Sequence, residues 1–121
     1  MKILIVDDDP DVRNFVSTVL KKRGFEIIEA DDGASGLREA RAQLPDLIIC
    51  DYLMTPMDGY EMVLALRGEP ATAEIPFILM TGQAERAGLR HSENKSEDEF
   101  LEKPVSASEL LRAVEARLPK K

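Results

Sequence analysis

Five short apolar runs recur along this chain, each followed by a stretch with a different period. They are "KILIV" (2–6), "FEIIE" (25–29), "DLIIC" (46–50), "PFILM" (76–80) and "EFLE" (99–102). Runs of this length, rich in β-branched and aliphatic residues and near-continuously apolar, predict strands buried on both faces. The stretches between them carry helical spacing. Val12, Phe15, Val16, Val19 and Leu20 fall at i, i+3, i+4, i+7 and i+8 and predict one apolar stripe. Asp9 before Pro10 reads as an N-cap with proline in the first turn, and Gly24 reads as the stop. Ala34, Leu37, Ala40 and Leu44 predict a second helix ended by Pro45, and residues 59–67 predict a third. Ser106 and Glu109 have capping-box spacing, ahead of a stripe of Leu110, Leu111, Val114 and Leu118. The stretch 83–98 has Leu89 as its one sizeable apolar residue, so a helix there is expected to be short or frayed. Strand and helix thus alternate five times. That order predicts a doubly wound α/β domain: a five-stranded parallel sheet with helices on both faces.

The 121 residues suffice for one domain, taken as 1–121, and leave no room for a second. With 44% hydrophobic and 32% charged residues, the composition is globular rather than disordered. A net charge of −7 argues against direct nucleic-acid binding, which needs clustered Lys and Arg. No apolar run approaches the roughly 20 residues of a membrane span, and "KILIV" meets acids too soon for an export signal. The single Cys50 suits a reducing, cytoplasmic setting and reads as a buried structural thiol.

Charged and polar residues collect where the apolar runs stop. The first run is followed by Asp7-Asp8-Asp9, the third by Asp51, the fourth by Thr81-Gly82 and the fifth by Lys103-Pro104. In an open parallel sheet, ligands bind beyond the carboxyl ends of the strands. With strand order 2-1-3-4-5, Asp7, Asp8 and Asp51 converge at one rim. Crowded carboxylates repel, and a hard cation relieves them. Magnesium suits such a site because it takes oxygen ligands and only one or two carboxylates at a time. Simpler roles compete residue by residue: Asp9 as a helix cap, Thr81 as a turn residue, Lys103 as a surface charge. His91 reads as solvated, and Met54 and Met57 as loop packing, because thioethers suit soft metals.

In this order and spacing, "ILIVDDDP", "PDLIICDYLMTPMDG", "FILMTG" and "FLEKP" resemble the receiver domain of bacterial two-component response regulators. That family has the flavodoxin-like fold of the chemotaxis regulator, and the resemblance runs over essentially the whole chain. It implies that Asp51 is the phosphoacceptor. It also implies that Asp7, Asp8 and Asp51, with the backbone carbonyl of Leu53, bind Mg2+ (or Mn2+). Thr81 then matches the switch hydroxyl, Lys103 the lysine that contacts the phosphoryl group, and Phe100 the switch aromatic. The Lys103–Pro104 peptide is expected to be cis. The implied donor is a histidine kinase or histidine phosphotransfer protein. The implied readout is a downstream protein target, met on the face formed by the 83–98 segment, the fifth strand and the last helix. The chain is expected to be a monomer or a phosphorylation-dependent dimer. The resemblance implies a signalling switch of a two-component system or phosphorelay rather than an enzyme, beyond its own Asp phosphorylation and dephosphorylation.

The chain departs from the family pattern in places. Thr55 stands where proline is common, with Pro56 one residue on, and "SEDE" (96–99) stands where the family often has "GADD". Leu53 cannot orient a hydrolytic water with its side chain. An aspartyl-phosphate phosphohydrolase is the competing reading from another class. It needs a second Asp where this chain has Leu53. A degenerate receiver serving only as a docking module would be marked by loss of an acid, Thr81 or Lys103, and all are present. A flavodoxin-type electron carrier would meet repulsion between "DDDP" and the flavin phosphate. The chain is either a regulator that acts alone or a piece of a longer regulator or hybrid kinase.

Overall fold

The computed structural model describes residues 1–51, 59–81, 99–102 and 105–118, with backbone alone at positions 59, 60, 81, 99, 100 and 102. The elements in order are β1 (Lys2–Val6), α1 (Pro10–Lys21), β2 (Glu26–Ala30), α2 (Gly33–Gln43) and β3 (Leu47–Asp51). Then come α3 (Gly59–Arg67), β4 (Phe77–Thr81), β5 (Glu99–Glu102) and α4 (Ala107–Arg117). The five strands form one sheet of order β2-β1-β3-β4-β5, and each pair is parallel. The parallel doubly wound sheet is the one expected from the alternation of patterns, and its strand order is that of the flavodoxin-like fold the family resemblance implies.

Alternate residues of the central strands feed two cores, one on each face. Leu4 and Val6 of β1, Ile48 and Cys50 of β3, and Phe77 and Leu79 of β4 pack with Leu37 and Ala40 of α2 and with Met62, Val63 and Leu66 of α3. On the other face, Ile3, Ile5, Leu47, Ile49, Ile78 and Met80 pack with Val16 and Leu20 of α1 and with Leu110, Ala113 and Val114 of α4. The period of two splits each of these central strands between both layers, so their runs had to be apolar throughout. Cys50 is buried in this packing, as a structural thiol.

The helices begin where their caps predict. Asp9 caps α1, accepting from the Asp11 N–H at 2.9 Å. Ser106 and Glu109 complete a reciprocal capping box on α4. Gly24 takes φ +89, the left-handed turn that returns the chain from α1 to β2. Three of the predicted apolar positions need correction, Ala34 being exposed on the solvent side of α2. Phe15 is 40% exposed and Leu44 50% exposed, so neither belongs to the core. Leu44 is the left-handed cap of α2, with φ 46, and its N–H donates to the Ala40 carbonyl at 3.0 Å. Pro45 disfavours the right-handed helical region at the residue before it, so the helix must stop at Leu44. At Gly36, a Cβ would stand 2.9 Å from Val6 Cγ2 and 3.1 Å from the Met62 thioether. That glycine lets α2 lie close against β1 and α3. The stretch 83–98, Met54 and Met57 lie outside the described residues.

Candidate functional site

The strand runs predicted from sequence stop at Cys50 and Met80, but in the structure pairing continues one residue further. Asp51 pairs with Met80, and Thr81 with Glu102. Strand pairing uses backbone groups only, so a polar side chain does not end it. The result is that Asp51 is fixed by a ladder rather than carried on a loop. It is 6% exposed.

Val6 pairs with Cys50, so the next residue on each strand is an aspartate: Asp7 beside Asp51. The Asp7 N–H donates to the Ala30 carbonyl of β2 at 3.1 Å. Its carbonyl accepts from Arg13 Nη1 at 2.7 Å, and its Oδ1 accepts from the Asp9 N–H at 2.9 Å. Asp7 is completely buried, while Asp8, the next residue, is exposed.

Carboxylate oxygens of Asp7, Asp8 and Asp51 lie within 4.8 Å of one another. Opposite ligands of an octahedral magnesium stand about 4.2 Å apart, at roughly 2.1 Å from the ion. The donor set is all oxygen, two members are buried and one faces solvent. These residues fit a hard divalent cation that keeps part of its water shell, and they do not suit a soft metal. The convergence read from the strand ends is therefore present for the three aspartates.

The other candidates are placed to differing degrees. Thr81 ends β4, the neighbour of β3, one position beyond the level of Asp51. Phe100 lies in β5, paired with Leu79. Leu53, Lys103 and Pro104 lie outside the described residues, as does His91.

Sequence reasoning missed Arg13. The capped start of α1 puts it one turn in, its N–H donating to the Asp9 carbonyl at 3.1 Å. From there its guanidinium reaches the Asp7 carbonyl, with Glu29 Oε1 of β2 at 3.3 Å from Nε. The available signal was positional: a cation four residues after an N-cap points back over the preceding turn. Next to it, Asp32 caps α2 by accepting from the Ser35 N–H at 2.7 Å. That bond and the Ser35 hydroxyl hold the Asp32 carboxyl below its ordinary pKa.

Residues 3–115 match the family model described as the response regulator receiver domain. The chain belongs to that family. It is 33% identical over 117 residues to the DNA-binding dual master transcriptional regulator RpaA of Synechocystis, covering 97% of this chain and 48% of that protein. To the protein PilH of Pseudomonas aeruginosa it is 29% identical over 117 residues, covering 97% of both chains. Among solved structures, the chemotaxis response regulator CheY4 of Vibrio cholerae superposes with a TM-score of 0.88 at 30% identity, over 97% of this chain and 98% of that one. The receiver spans about half the length of the first curated relatives it matches. It is a signalling module of two-component systems. Among the described residues, no helix is long and apolar enough to cross a membrane.

Proposed function

We propose that this receiver is a phosphorylation-activated switch in which Asp51 accepts a phosphoryl group from the phosphohistidine of a histidine kinase or histidine phosphotransfer protein. The observation that carries the reading is the convergence of Asp7, Asp8 and Asp51 at the ends of adjacent strands. A carboxylate oxygen of Asp51 attacks phosphorus in line. The new bond is P–O, the bond broken is the donor's P–N, and the imidazole departs with the electron pair. The strand ladder keeps Asp51 from retreating as the donor approaches, so positioning contributes much of the rate.

Asp7, Asp8 and Asp51, with the carbonyl of Leu53, would hold Mg2+ or Mn2+, which supplies positive charge against the phosphoryl oxygens. Lys103 would add an ammonium charge against the same group. After transfer the rim carries up to about two more negative charges and new acceptor oxygens. Thr81 turns its hydroxyl to them, and Phe100 follows into the space released. This biases a two-state element toward the conformation that a protein target binds. The 121 residues act as one receiver unit in this reading.

The test is intact mass after incubation with acetyl phosphate, with magnesium or with chelator, on wild type and Asp51→Asn. A single phosphoryl adduct confined to wild type with magnesium is expected. An adduct of equal yield on Asp51→Asn would overturn the assignment. If no adduct is trapped, titration with beryllofluoride separates rapid hydrolysis from a rim that never accepts phosphate. Failure to bind it would favour the docking-module reading.

A further inference from the structure

Among the described residues, Arg13 is a cation that stands directly against the acid rim, and it grips the backbone of Asp7. Nη1 donates to the backbone carbonyl of Asp7 at 2.7 Å, and Nε lies 3.3 Å from Glu29 Oε1. The Arg13 side chain is 20% exposed and its bond to the Asp7 carbonyl is partly buried, while Glu29 lies toward solvent at 39% exposure. The two contacts use different nitrogens of one planar fork, which fixes the guanidinium orientation. The Asp7 carbonyl belongs to the peptide unit that leads into Asp8. Holding it sets the direction in which Asp8 leaves the strand. The same residue's N–H is tied to Ala30, so the turn after β1 is gripped on both sides, from α1 and from the edge strand β2.

We infer that Arg13, oriented by Glu29, is a positioning residue that holds the turn after β1 so that Asp7 and Asp8 present their carboxylates to one divalent cation. The inference rests on the metal-site reading of the aspartate cluster above. Charge alone predicts the opposite of what this clamp does. A guanidinium near a cation site repels the cation, so a purely electrostatic Arg13 would weaken metal binding and its removal would tighten it. A clamp strengthens binding, and its removal loosens it. The sign of one affinity change separates the two.

The experiment is a Mn2+ titration of the full chain, read by electron paramagnetic resonance at fixed ionic strength, on wild type, Arg13→Ala, Arg13→Lys and Glu29→Gln. Arg13→Ala is expected to bind about ten-fold more weakly, in the range for groups that orient metal ligands. Arg13→Lys keeps the charge but cannot reach both partners with one ammonium, so it also binds more weakly. Glu29→Gln shows a smaller loss of the same sign. A second readout needs no metal. The Asp9 N–H donates to Asp7 Oδ1, so its amide should exchange faster in Arg13→Ala while the Ile49 amide in β3 is unchanged.

Equal or tighter Mn2+ binding by Arg13→Ala, or wild-type affinity in both Arg13→Lys and Glu29→Gln, would overturn the clamp. So would unchanged exchange at Asp9. If Arg13→Ala does not fold, the Lys and Gln variants decide the matter. A wild-type chain that binds no divalent ion contradicts the metal site itself, and the exchange comparison still decides whether Arg13 holds the turn.

Discussion

Lys2 and Asp46, at the amino ends of β1 and β3, are joined by two hydrogen bonds of 2.8 Å, Lys2 N–H to Asp46 Oδ2 and Asp46 N–H to the Lys2 carbonyl. Asp7 and Asp51, at the carboxyl ends of the same two strands, bring two largely buried carboxylates side by side with a third close by. The amino end repeats the first pattern elsewhere. Arg67 Nη1 donates to the carbonyls of Ala73 and Ile75 at 2.9 and 2.6 Å, and its guanidinium lies 5.5 Å from the centre of the Phe77 ring. Thr72, fully buried, donates its hydroxyl to the Leu66 carbonyl at 2.7 Å. One end of the sheet couples donors to acceptors and holds the fold. Among the described residues, the other end brings like charges together, a local cost that a bound ligand would relieve.

If the division is real, damage to the amino end should lower stability and leave cation binding alone. Arg67→Ala should have the largest effect, about 2–3 kcal/mol in chemical denaturation, through lost charge-assisted bonds and the ring contact. Its Mn2+ affinity should match wild type, and a parallel loss of affinity would break the comparison. Thr72→Val should cost about 1 kcal/mol, because the Leu66 carbonyl keeps a second donor, the Glu69 N–H at 3.2 Å.

The smallest effect is expected from the acid limb. The Ser106 N–H and hydroxyl hold the Glu109 carboxyl below its ordinary value of 4.5. A lowered folded value means that the contribution is complete above the unfolded pKa and fades as pH falls through the folded one. Glu109→Gln should therefore melt slightly below wild type at pH 7, and the gap should close as pH falls through the acid range. A gap that widened on acidification would have the wrong sign.

Much of this fold was legible because its signals are local. The Asp9 cap, the Ser106–Glu109 box, the stop at Gly24 and the five apolar runs each depend on a few neighbouring residues. The aspartate convergence was legible at one remove, because the acids sit at strand ends and the order 2-1-3-4-5, which the family resemblance implies, sets β1 beside β3. Arg67 and Thr72 were not legible, since their partners are backbone carbonyls, which carry no sequence signature, and Arg13 left only the positional signal of a cation one turn past a cap. Leu44 misled because helical spacing continued through a residue that Pro45 forces out of the helix. Phe15 misled because an i+3 position at the margin of a stripe can point to solvent.

The central claim, that the carboxyl rim gives up stability for a cation site, is tested most directly by melting wild type and Asp51→Asn with and without magnesium. Without the ion, Asp51→Asn should be the more stable protein by about 1 kcal/mol, because one of three crowded charges is gone. Magnesium at about ten times its dissociation constant should then stabilise wild type by ~1.4 kcal/mol and the variant far less. A variant that is less stable without magnesium, and that gains as much as wild type when it is added, would contradict the account.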